Sequence, residues 1–261
     1  MLYTYLKTYM EMNDYLFQKI KQIGWANRNA WLKENPRQKF ISTYAINGVL
    51  EEPKDWHAMA TKCGNNPNHE HFGKTAEEIQ KIWSTKANTG ADRGNTLDDY
   101  IKAVLSETRI DTSSFDEQLV NKCHQFDKLY TNVFAKFDSY IGSEIWLTSY
   151  NLGLSVRLDS LFKVSDDTLF ISEWKSTEKM SMTNKWQKLL GPMNQFDASD
   201  LNKYTLQLHI YKYILLEYGL SFNIVGKIFN MKTDDYLILE GFEYDKHRIE
   251  DIVTFTRQSL L

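Results

Sequence analysis

The spacing of apolar and polar residues changes once along this chain, near residue 140. Before that point, apolar residues recur at helical intervals. Leu2, Tyr5, Leu6, Tyr9, Tyr15, Leu16 and Ile20 lie three or four residues apart, which predicts a helix over residues 1–33 that Pro36 ends. Gly64, Asn65, Asn66 and Pro67 are turn formers, so residues 62–73 read as a loop. Thr75 followed by Ala-Glu-Glu reads as an N-cap with acidic first-turn residues. A further helical pattern runs from Gly90 to about Leu105. Residues 114–138 read as a long amphipathic helix, opened by Ser114 with Glu117 as its capping-box partner.

After residue 140 the runs are short and rich in Ile, Val, Leu, Phe and Trp. IGSEIWLTSY, LSVRLDSLFKV and TLFISEWKS read as three strands, with Asp166-Asp167 as the hairpin turn between the last two. A loop of about 25 residues containing Gly191-Pro192 comes next. Residues 201–218 then read as a helix, 222–230 and 236–239 as strands, and 245–260 as a final helix. The pattern predicts an α/β fold, with a central mixed sheet flanked by helices and preceded by a helical N-terminal half. The expected division is 1–138 helical and 139–261 core, packed as one unit.

Composition narrows the class. Charge is −3, with 25% charged and 42% hydrophobic residues, as in an ordinary globular protein and unlike a disordered or fibrous one. A near-neutral balance argues against non-specific coating of nucleic acid but allows a local binding groove. No apolar run is long enough for a membrane span, and the N-terminus lacks the layout of a signal peptide. Cys63 and Cys123 are the only cysteines, which favours a reducing, intracellular setting and excludes an iron–sulfur cluster. The six histidines show no zinc spacing, and His69-Glu70-His71 reads as a surface loop. No P-loop for a nucleotide is present.

The chemistry concentrates between Glu144 and Lys175. Glu144 lies on the first strand, Asp159 interrupts the apolar second strand, and Glu173-Trp174-Lys175 ends the third. Strand alternation puts Leu169, Ile171, Glu173 and Lys175 on one face, and a hairpin lets Asp159 approach Glu173. Converging carboxylates repel unless a cation lies between them, and hard oxygen ligands suit Mg²⁺ or Mn²⁺. A neighbouring amine then orients water and offsets transition-state charge. The same residues are also what a solvated strand edge with one ion pair would carry.

The set resembles the PD-(D/E)XK nuclease superfamily, in particular its RecB-like exonuclease branch. Asp159 and Glu173-Trp174-Lys175 match the D…(D/E)-x-K signature with 13 residues between the two acids, and Glu144 matches the branch's additional upstream acid. Gln207-Leu-His-Ile-Tyr211 matches Q-x-x-x-Y, and Lys175-Ser176-Thr177-Glu178 looks like the continuation found in the mitochondrial genome maintenance exonuclease group. The segment from Tyr204, and Gly73 to Asp98 in the helical half, are similar to phage and large-DNA-virus members. Two departures stand out. Asp98 comes after Gly94-Asn-Thr-Leu where the branch usually has a metal-contacting histidine, and Val156 replaces a frequent glycine.

The resemblance implies a role for each matched residue. Asp159 would bridge one or two Mg²⁺ or Mn²⁺ ions, Glu173 and the Trp174 carbonyl would complete one site, and Glu144 and Asp98 would add ligands. Lys175 would orient the attacking water, with Gln207 and Tyr211 reaching the same point from one helix face. Ser176 and Thr177 lie where a phosphate binds or a turn is capped. Lys179, Lys185, Lys188 and Lys203 surround the long loop, either tracking a nucleic-acid backbone or as a solvated face. Trp186 is a candidate for base stacking, whereas Trp174 reads as core.

The function implied by the same resemblance is a metal-dependent DNA exonuclease acting at ends, single- or double-stranded, in viral or phage recombination, replication or repair. A single-strand annealing or other recombination protein is the implied partner, with an oligomer allowed and the host cytoplasm as the setting. The alternatives are a catalytically silent nucleic-acid-binding scaffold on the same fold and a structure-specific endonuclease.

Overall fold

The computed structural model describes residues 2–261, with side chains described from Tyr15 onward. Of the apolar residues that predict the first helix, Leu2, Tyr5, Leu6 and Tyr9 have side chains outside the described residues. Helix α1 spans Leu2–Glu34, as its spacing predicts. Two short helices come next that the pattern did not predict, α2 (Thr43–Leu50) and α3 (Trp56–Asn65), capped by the side chains of Ser42 and Asp55. Residues 62–65, expected as loop, are the last turn of α3. Helix α4 runs from Ala76 to Leu105, opened by the Thr75–Glu78 capping box, and continues straight through Gly90. A Cβ at Gly90 would meet nothing within 4 Å, so neither packing nor a turn requires this glycine to break the helix. Helix α5 spans Glu117–Asn132, shorter than the expected 114–138. Its cap is Asp116, whose carboxylate accepts from Leu119 N at 2.8 Å, in place of Ser114.

Strands β1 (Ser139–Ser149), β2 (Leu154–Ser165) and β3 (Thr168–Lys175) form an antiparallel meander. Helix α6 (Asp200–Glu217) then crosses over to β4 (Asn223–Met231), which pairs parallel to β3. Strand β5 (Tyr236–Leu239) pairs antiparallel to β4, and α7 (Lys246–Leu260) closes the chain. The sheet order is β1-β2-β3-β4-β5, a mixed five-stranded sheet with helices on both faces and a helical N-terminal half. No helix among the described residues is long and apolar enough to cross a membrane.

Each face of the sheet buries its own apolar set. On one, Leu169, Ile171, Ile228 and Val156 pack with Leu206, Ile210 and Ile214 of α6. On the other, Phe162, Phe170, Trp174 and Phe229 surround Phe134 beneath α4 and α5. Helix α6 is buried on most of its circumference, as its aromatic-rich sequence requires.

The alternation along β2 is not uniform. Leu154, Val156 and Leu158 face the first cluster, but Leu161 faces it too, so the two-residue phase changes at Asp159-Ser160. Pairing with β3 begins at Ser160↔Ser172, so β2 and β3 are unpaired at Asp159 and Glu173. This gap between neighbouring strands is where the candidate site lies.

Candidate active site

The register of β1 and β2 (Ser143↔Ser160, Ile145↔Leu158) sets Glu144 opposite Asp159. Where pairing of β2 with β3 lapses, the Asp159 carboxylate replaces a backbone acceptor: its Oδ2 receives the Trp174 N–H at 2.9 Å. Trp174 also donates its indole N–H to Ser160 Oγ at 3.0 Å. Ser160 Oγ is 2.7 Å from Ser143 Oγ, which accepts from Tyr140 at 2.6 Å. This line of hydroxyls braces the strands on either side of Glu144 and Asp159, and the motif pattern gave no hint of it.

Glu173 is fully buried. Its Oε1 takes an ion pair with Lys175 at 2.5 Å, while Oε2 is buried without a hydrogen-bond partner. Burial, and then repulsion from Asp159, push the Glu173 carboxyl up to about 8. Burial opposes the charge on Lys175, but Glu173 and Asp159 more than offset it, so this ammonium lies above the usual lysine range. Its Nζ also sits 4.6 Å from the centre of the Tyr204 ring.

From α6, the Gln207 amide donates to the Tyr211 hydroxyl, which donates to the Arg157 carbonyl at 2.8 Å. Tyr211 is fully buried, and its pKa is raised well above normal by burial and by Glu173 and Asp159 beside it. The two motif residues therefore meet each other and the β2 backbone next to the carboxylates.

Asp98, on α4, faces the same point. Burial and the charge of Asp159 raise its carboxyl to about 7, against the opposing pull of Lys175 and Lys102. Asp98, Lys102, Ser143, Glu144, Asp159 and Trp174 line one narrow cleft. Glu144 adopts a φ of +54°, a left-handed conformation that costs a non-glycine residue about 1–3 kcal/mol. Its carboxylate pairs with Lys102 at 3.1 Å and Arg157 at 3.3 Å. Lys102 lies four residues after Asp98, on the same helix face, which is the one sequence signal that could have singled it out.

The segment after Lys175 is anchored from behind. Lys122, a buried cation on the apolar stripe of α5, pairs with Glu178 at 2.9 Å and donates to the Ser176 carbonyl. The Asn230 side chain bonds both the N–H and the C=O of Thr177, at 3.0 and 2.9 Å. The backbone of Ser176 and Thr177 is thus held by the protein. Of the lysines offered for a nucleic-acid backbone, Lys203 is paired with Glu51 at 2.8 Å and Asp200 at 3.2 Å, and Lys188 with Asp197 at 2.6 Å. Acidic side chains already neutralise those two. Lys179 and Lys185 are exposed without an acidic partner among the described residues, and Trp186 is exposed. Away from the site, His71 is buried beside Trp83, which corrects its reading as a surface residue.

The cleft is lined by three carboxylates, Asp98, Glu144 and Asp159, together with Ser143, Trp174 and the Lys102 amine, and the buried Glu173 Oε2 beside Asp159 lacks a hydrogen-bond partner, so the oxygen-rich set fits a hard divalent cation. Their present spacing does not complete a shell: among the described residues, no three His, Cys, Asp or Glu are close enough together to hold a metal ion. Glu144 is held back by Lys102 and Arg157.

No family model matches this chain, and no curated protein matches it. Among solved structures, it is similar to a protein of Eubacterium rectale described as a "Putative exonuclease", with 10% identity and a TM-score of 0.44 over 87% of this chain and 80% of that one.

Proposed function

We propose that this chain is a metal-dependent deoxyribonuclease of the PD-(D/E)XK kind, removing nucleotides from DNA ends. The observation that supports it most is the buried Glu173, with one oxygen on Lys175 and the other unpartnered, beside Asp159 at the gap between β2 and β3. An edge ion pair serving only solubility would be exposed and satisfied by water.

In this reading, Asp159 and Glu173 would hold Mg²⁺ or Mn²⁺, and the Trp174 carbonyl and Asp98 would add ligands. Glu144, now paired with Lys102 and Arg157, would be a further ligand. When bound, a divalent cation supplies Lewis-acid polarisation of the phosphate and acidifies water. Lys175 orients the water that attacks phosphorus and offsets charge on the phosphoryl oxygens. Gln207 and Tyr211 hold the β2 backbone so that Asp159 keeps its aim. The reading places the protein in DNA recombination, replication or repair, with DNA as its partner.

End-labelled linear DNA and covalently closed circular DNA, incubated with Mg²⁺, with Mn²⁺ and with chelator, provide the test. Label release from the linear DNA alone, abolished by chelator, is expected. Nicking of the circle would make the enzyme an endonuclease. Absence of cleavage of either DNA in Mn²⁺ would reject the reading.

A further inference from the structure

Beside the carboxylate cleft lies a second, larger hollow of about 930 Å³ between α1 and β1, near the top of the usual ~300–1,000 Å³ range for ligand pockets. The two hollows share Ser143 and Glu144 in their walls, so they adjoin along β1. Close backbone approach forms this second hollow. A Cβ at Gly24 would lie 2.9 Å from the Trp146 carbonyl oxygen, and one at Gly142 would lie 2.8 Å from the Phe17 ring. The Asn27 amide donates to the Thr148 carbonyl at 3.3 Å, and Tyr218 of α6 bonds both polar groups of the Thr148 backbone. The walls are therefore fixed from two helices.

The lining is unusual for a soluble surface. Trp25 and Trp146 are 63% and 59% exposed, and both face the hollow. The Arg28 guanidinium lies 5.5 Å from the centre of the Trp25 ring, and Lys21 Nζ lies 5.5 Å from the centre of Phe17. Neither Lys21 nor Arg28 has a carboxylate partner among the described residues, in contrast to Lys188 and Lys203. Exposed indoles beside cations that lack a carboxylate partner among the described residues are the two elements of a single-strand binding surface: stacking platforms for bases, and charges for the backbone. A duplex hides its base faces in the stack, so the exposed indoles favour unpaired nucleotides.

We infer that the α1–β1 hollow binds a single-stranded nucleic acid segment, with bases on Trp25 and Trp146 and phosphates near Lys21 and Arg28, and leads it past Ser143-Glu144 to the carboxylate cleft. The direction of that path rests on the nuclease reading, whereas the binding itself can be measured without cleavage.

The test is fluorescence anisotropy of the whole chain with a labelled oligothymidylate of about 12 nucleotides, in chelator. Tight single-strand binding is expected, weaker for a blunt duplex of equal length. Trp25→Ala and Trp146→Ala should each weaken it about tenfold or more, and Trp25→Phe should restore part of the loss. Joint replacement Lys21→Gln and Arg28→Gln should lower the salt slope by about 1.4, at about 0.7 per phosphate contact. Circular dichroism checks that each variant is folded. Wild-type affinity in both alanine variants, equal affinity for the duplex, or no oligonucleotide binding would overturn the inference, the last including a hollow that takes a protein segment instead. Single-strand binding that needs the tryptophans, with no cleavage in Mg²⁺ or Mn²⁺, would keep this inference and reject the nuclease reading.

Discussion

The Asp159 carboxylate accepts the backbone N–H of Trp174 at 2.9 Å, standing in for the strand partner that β2 and β3 no longer offer each other. One side chain thus both closes a sheet and faces the cleft. Asp159→Ala should abolish DNA hydrolysis and leave that N–H unpaired, at a cost of about 1–3 kcal/mol. Asp159→Asn keeps an acceptor oxygen, so it should retain more of the stability and equally little activity. Urea denaturation alongside nuclease assays separates the two roles.

Lys175→Ala should likewise abolish turnover, with a stability loss that depends on pH. With its amine in place Glu173 is already pushed up to about 8 by burial and Asp159, against the lowering pull of Lys175, so removing the amine raises it further. At pH 6 the carboxyl is protonated with or without the amine and tolerates burial, whereas at pH 9 the wild type holds a paired carboxylate and the variant loses that pairing. The melting-temperature deficit of Lys175→Ala should therefore be larger at pH 9 than at pH 6.

The metal-free protein should lose stability as pH rises through the carboxylate window. Glu173 and Asp98 ordinarily titrate near 4.5 and 3.8, and in the folded chain near 8 and 7. A folded-state pKa above the unfolded one means that the native chain holds the extra proton. The favourable contribution is full below pH 4 and is gone above pH 8. Glu173→Gln and Asp98→Asn should each flatten the dependence of melting temperature on pH between 5 and 9 in chelator. Added Mn²⁺ should raise the wild-type melting temperature at pH 8 and raise that of the variants less.

Glu144 offers a test that reverses the usual ranking of substitutions. Alanine and glycine both remove its carboxylate and its pairs with Lys102 and Arg157, but only glycine is at ease at φ +54°. Glu144→Gly should be more stable than Glu144→Ala by about 1 kcal/mol, whereas in ordinary strand positions glycine is the weaker residue. Both should lower activity. Paired denaturation curves measure the difference.

Lys122→Met should loosen the segment beyond Lys175. The substitution leaves the Ser176 carbonyl without its donor and frees Glu178 to water, at a cost of about 2 kcal/mol, below the full penalty for a broken buried pair because Glu178 is partly exposed. Turnover should fall while divalent-ion binding stays, since Lys122 reaches none of the carboxylates facing the cleft. Mn²⁺ titration against kcat tests the separation.

Much of this was legible because alternation and i, i+4 spacing are local rules. The three strands of the meander, the Asp166-Asp167 turn, the placement of Glu173 with Lys175, and the meeting of Gln207 with Tyr211 all come from them. The rules failed where tertiary contact decides. The pattern starts a separate helix at Gly90, yet α4 runs through it, because this glycine lies on an open helix face that nothing crowds. The phase change at Asp159-Ser160 and the left-handed Glu144 are invisible to a two-residue period. Lys122 did leave a trace, a charge within the stripe Leu119, Cys123, Phe126 and Leu129, where a buried partner is required. The α1–β1 hollow left none, because it is made by two segments more than a hundred residues apart.

The parallel pairing of β3 with β4 has a temporal consequence. Glu173 and Lys175 are flanked on one side by a gap and on the other by Ile228 and Asn230, which leave the ribosome long after them. During synthesis the meander can assemble while its acid and amine still lack a second wall. On the nuclease reading, the candidate constellation is thus completed late, by the return of the crossover, and a newly emerging chain would stay inert until most of it has been made.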